Sequence, residues 1–112
     1  MARAYYTGSL RISEVEAILR DELPNCGLSC ELSDRAAHRI GDVEIVTLVF
    51  EKYFMRAGNY ASLTVVISGH DGQVGVDLIG AGGRQGLLSF SWGTEDSFVS
   101  SAAKVLEKYG FR

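Results

Sequence analysis

Three places in this chain bring together residue types that could do chemistry: the glycine-rich stretch GAGGRQGLLSFSWG at Gly80–Gly93, the pair His70–Asp71, and the cysteines Cys26 and Cys30. A glycine-rich segment cradles phosphate when it opens a helix whose bare N-terminal amides face the anion. A Walker loop also needs a lysine and a hydroxyl after its last glycine, whereas Gly86 is followed by Leu87 and Leu88. A dinucleotide fingerprint starting at Gly80 needs glycine at its sixth position and meets Gln85. The segment after Gly86, LLSFSWG, is strand-like, and the next helical segment opens on Glu95 and Asp96, which repel an anion. The stretch therefore reads as a strand connection or bulge in which glycines permit positive φ. The alternative keeps Arg84 and Gln85 as polar fingers for a carboxylate or a partner's backbone.

His70 beside Asp71 in SGHDG is first of all turn chemistry, because aspartate before glycine favours the turn itself. A hydrolase using His70 is accordingly the third of three functional readings, and no catalytic residue is assigned. Cys26 and Cys30 lie four apart, which on a strand separates them by about 13 Å, too far for a disulfide. Zinc would need two further ligands, and His38 and His70 stand at separations unlike a compact zinc module. The expectation is thiols in a reducing compartment, with no metal and no cofactor.

The elements that must position these residues come from an ordinary globular composition: 112 residues, 46% hydrophobic, 22% charged, net charge −3. That fits one domain over 1–112. The mild negative charge lacks the concentrated basic field that phosphate backbones require, so nucleic acid is not an expected partner; Arg35, His38 and Arg39 read as a solvated strand or turn. MARAYYTGSL lacks a secretory pattern and no apolar run reaches bilayer length, so a cytoplasmic protein without a membrane partner is expected.

Ser13 with Glu16 three residues on has the form of a capping box, with Ile12 placed to staple against Ala17. The helix behind it carries Val15, Ile18, Leu19 and Leu23 on one stripe, sends Glu14, Glu16, Arg20 and Asp21 to water, and stops at Pro24–Asn25. A second helix is capped by Thr94, stopped by Gly110, and striped with Phe98, Ala102, Val105, Leu106 and Tyr109. Between them the apolar period falls to two. RAYYTG, LSCELS, VEIVTLVFEKYFM, ASLTVVISG and QVGVDLIG read as strands, HDG as a hairpin turn, and LLSFSW as a further edge strand. The order β-α-β-β-β-β(-β)-α implies an α+β two-layer sandwich, a mainly antiparallel sheet with both helices on one face. Its element order resembles TATA-binding-protein repeats, a likeness of topology that carries no function.

Strand 43–50 is apolar on both sides: Val43, Ile45 and Val49 point one way, Val46, Leu48 and Phe50 the other. Two helices cover one side of such a sheet, so the other calls for a second subunit or a ligand cavity. Val46, Leu48 and Phe50 are assigned to the subunit interface. A ligand, if one is held between sheet and helices, would be a small apolar or acidic molecule gripped by Arg56, Arg84 or Gln85.

VFEKYFMRAGNYASLTVVISG, GAGGRQG leading into FSWG, and the closing VLEKYGF resemble a small family of uncharacterised bacterial proteins about 110 residues long, classed as a domain of unknown function. The resemblance implies a stand-alone bacterial protein and no activity. The leading reading is a non-enzymatic homo-oligomer, a dimer; the second is a small-ligand binder.

Overall fold

A computed structural model describes residues 2–26, 30–54, 58–70, 72–82 and 94–112. Strand β1 (Ala2–Gly8) leads into helix α1 (Ile12–Glu22) and a 3-10 turn at Leu23–Cys26. Four strands come next, β2 (Cys30–Ile40), β3 (Val43–Phe54), β4 (Asn59–His70) and β5 (Gln73–Gly82), and then helix α2 (Thr94–Lys108). The five strands form one open antiparallel sheet in the order β1-β5-β4-β3-β2. The chain leaves one edge through α1, restarts at the far edge, and meanders back until β5 docks on β1. This is the expected α+β architecture, and nothing beyond element order supports the likeness to TATA-binding-protein repeats. The further strand expected at 87–92 lies outside the described residues.

Register decides which side of each strand meets the helices. Phe50 faces Leu63, Leu48 faces Val65 and Val46 faces Ile67 across β3–β4; Val65 and Ile67 in turn face Leu78 and Val76 across β4–β5. All these side chains are buried, and they share one core cluster with Val15, Leu19 and Leu23 from α1 and its turn and Phe98, Ala102 and Leu106 from α2. Both helices therefore lie on the Val46–Leu48–Phe50 side. The assignment of these three residues to a subunit interface is corrected: at 4%, 0% and 0% exposure they are core, sealed by the chain's own helices.

Helix α1 starts earlier than the Ser13–Glu16 spacing suggests. Arg11 is the N-cap, and the Glu14 carboxylate accepts from the Arg11 backbone N–H at 3.0 Å, closing a box two residues ahead of the expected one. That frees Glu16, expected to face water, for a different partner. It accepts from Arg35 of β2 (Nε 2.5 Å, Nη2 3.0 Å) and from Arg20 one turn on (3.1 Å), and its side chain is only 12% exposed. β2 is longer than LSCELS, running to Ile40 with a bulge between Leu32 and Asp34, and its residues 33–40 are exposed.

The Arg35 guanidinium, then Arg20, hold the Glu16 carboxyl below its ordinary value of 4.5 against the opposing pull of burial. A folded-state pKa depressed in this way contributes stability that is present above 4.5 and is lost as pH falls through the lower folded value. Urea midpoints measured from pH 7 down to pH 3 should drop in the wild type over that acid window. The drop should be shallower in Glu16→Gln, where no charge remains to be neutralised.

The C-terminus closes the other edge. Gly110, at φ 92°, ends α2 in a conformation that side chains rarely adopt and turns the chain back. Phe111 then packs on Gly8, where an added Cβ would sit 2.6 Å from the ring, and Arg112 exchanges two backbone hydrogen bonds with Thr7 (2.9 and 3.1 Å). Gly8→Ala must push Phe111 off its seat, so a loss of about 1–3 kcal/mol is expected in urea unfolding. Among the described residues no helix is long and apolar enough to cross a membrane.

Candidate functional site: the uncovered sheet face

With Val46, Leu48 and Phe50 turned inward, alternation sends Val43, Ile45, Thr47 and Val49 of β3 to the opposite side, all half-buried by their neighbours alone. Pairing extends this face in rows. His38, Ile45, Ser68, Gly75 and Thr7 lie side by side; so do Ala36, Thr47, Val66, Asp77 and Tyr5; and Val49, Thr64, Ile79 and Arg3 complete the third. The centre is aliphatic with threonine interleaved. Asp77 stands inside the face between Val66 and Tyr5 and is reached by Arg3 of the edge strand at 3.3 Å. The rim is polar or aromatic, with Ser33 donating to Glu51 at 2.6 Å and Tyr53 meeting Tyr60 edge-on at 5.0 Å between ring centres. Charges at the rim are of both signs.

The other side holds the ionic ties that fix the helices. Glu22 accepts from both Lys108 and Tyr109, joining α1 to the end of α2. The Lys108 hydrogen bond, then that of Tyr109, keeps the Glu22 carboxyl low, and the same contact raises the Tyr109 phenol. Tyr6 donates to Glu107 at 2.6 Å, which raises its own pKa. Tyr109, expected in the apolar stripe of α2, is instead 42% exposed because its hydroxyl reaches out to Glu22.

At the β4–β5 end of the uncovered face lies a groove of about 590 Å³. His70, exposed at the end of β4, lines it together with Ser68 and Gln73, while Tyr5 and Thr7 of β1 form the opposite wall. The described lining residues include no carboxylate, and Asp71 lies outside the described residues. Arg56, Arg84 and Gln85, the residues assigned to a ligand, also lie outside them, as does the rest of 83–93. Cys30 is half-buried against the core, and among the described residues no group of three or more His, Cys, Asp or Glu could hold a metal ion.

Sequence reading found the two-sided β3 but did not tell which side the helices cover, and it missed that Tyr5, Thr64, Gly75 and Ile79 share the uncovered face. A signal was present. The neighbouring strand alternates pure aliphatics (Leu63, Val65, Ile67) with a mixed set rich in hydroxyls (Ser62, Thr64, Val66, Ser68), and antiparallel register aligns Val46, Leu48 and Phe50 with the aliphatic set.

No curated protein and no solved structure matches the chain. It does match a family of unknown function, DUF6054, over residues 1–110, and it belongs to that family.

Proposed function

We propose that the chain is a non-enzymatic, self-associating domain of the bacterial cytoplasm, a homodimer in which the uncovered sheet face of one copy packs on that of another. The observation that carries this reading is the aliphatic centre of that face, Ile45, Val49, Val66 and Ile79, which no element of its own chain covers among the described residues. Five strands spaced about 4.8 Å apart, with the seven residues of β1 setting the shared length, give a face of roughly 600 Å². Two such faces bury about 1,200 Å², the lower end of what specific interfaces need. A rim with charges of both signs suits a twofold contact and is a poor match for a phosphate backbone.

Edge-to-edge association is disfavoured at both ends of the sheet. Arg112 occupies the backbone of Thr7 on β1. On β2 the bulge, the exposed charges of Arg35 and Arg39, and the Asp34 carboxylate accepting the Arg35 backbone N–H at 2.8 Å all oppose strand addition. Association through the face is what remains. A soluble paramagnetic agent tests it: methyl signals of Ile45, Val49, Val66 and Ile79 should be broadened in dilute protein and shielded as concentration rises. Broadening that is the same at every concentration contradicts the proposal.

A further inference from the structure

We infer that the groove at the β4–β5 end of the uncovered face is a binding site for a neutral, polyhydroxylated ligand, a sugar or cyclic polyol. Its volume, about 590 Å³, falls within the range of small-molecule sites. Among its described lining residues there is no aspartate, glutamate, lysine or arginine. A charged ligand would shed hydration there and gain no countercharge from the described lining, which is the costly case. The groove offers hydroxyls from Tyr5, Thr7, Ser9 and Ser68 and the amide of Gln73. Hydroxyls and amides both donate and accept, so this wall matches a ligand that does the same at close intervals. Val43, half-buried, adds apolar surface of the kind that receives the C–H face of a sugar ring.

Gly75 is the residue that shapes the site. It stands near the start of β5, pairs with Thr7 and Ser68, and leaves room for Tyr5 to lie against the bare backbone. A Cβ added there would come within 2.5 Å of the Tyr5 hydroxyl oxygen and 3.1 Å of the ring carbon bearing it. Even alanine must therefore move Tyr5, the aromatic wall of the groove.

The test is titration of the full chain, monitored by backbone amide shifts, with maltose, cellobiose and myo-inositol as neutral probes and glucose 6-phosphate as the charged one. Saturable shifts at Tyr5, Ser68, Gln73 and Gly75 with at least one neutral probe are expected, with glucose 6-phosphate binding at least about tenfold more weakly. Ser68→Ala should weaken that binding about fivefold by removing one hydrogen-bonding group. Gly75→Ala should weaken it by displacing Tyr5, and Ser100→Ala, exposed on α2 away from this face, should leave it unchanged. No saturable shift with any of the three neutral probes, or tighter binding of the phosphate, overturns the inference. The groove lies on the face that the proposed dimer buries, so the titration is made at a dilution where light scattering shows monomer. A monomer that ignores all three probes defeats the site alone, and a chain that stays monomeric at every concentration yet binds one defeats self-association alone.

Discussion

Phe50→Ala should lower the unfolding free energy by about 3–5 kcal/mol, the cost of deleting a large buried side chain and leaving a cavity. Phe50 is fully buried, stands between Leu32 of β2 and Leu63 of β4, and belongs to the same core cluster as residues of both helices. A domain of this size has only about 5–15 kcal/mol to lose, so the variant should be marginal at room temperature. Urea unfolding at two protein concentrations checks the assignment of sides. Because Phe50 is sealed inside one copy, the loss should be the same at both concentrations; a loss that appears only where the wild type is dimeric would return Phe50 to the interface.

Val49→Arg, one residue away, should act in the opposite way. Val49 is half-buried on the uncovered face, between Asp34 and Thr64, so a monomer can turn the longer side chain to water and keep its fold. In a twofold face-to-face contact the same substitution enters twice and drives two guanidinium groups, each with only the Asp34 carboxylate beside it, into an aliphatic centre, and taking even a paired charge out of water costs several kcal/mol. The dimer dissociation constant should rise by more than about a hundredfold. Sedimentation velocity should then show a single species at 12.2 kDa, with the thermal midpoint measured in dilute protein close to that of the wild type at the same dilution. If Val49→Arg sediments as the wild type does, this face is not the contact.

The fold was readable because both its periods are local. The stripe Val15, Leu19, Leu23 and the alternation in β3, β4 and β5 depend on residues within a few positions of each other, and the structure buries them as that pattern implies. What failed depended on partners far away in sequence. Glu16 looked like a solvated helix residue until Arg35, on the far edge strand, supplied its charge partner. The N-cap moved because Arg11–Glu14 and Ser13–Glu16 have the same spacing, and only tertiary context chooses between them. The side that the helices cover was not legible because a strand apolar on both faces does not say which one they take; register with Leu63, Val65 and Ile67 does. The groove was invisible for the same reason, since β1, β4 and β5 each contribute one part of it.

Sedimentation equilibrium of the unmodified chain over a hundredfold range of concentration addresses the self-association claim most directly. A mass rising to twice 12.2 kDa, and falling back on dilution, is the predicted result. A mass that stays at 12.2 kDa up to the highest concentration would contradict it, leaving the aliphatic face of β3, β4 and β5 as a surface the domain simply carries in water.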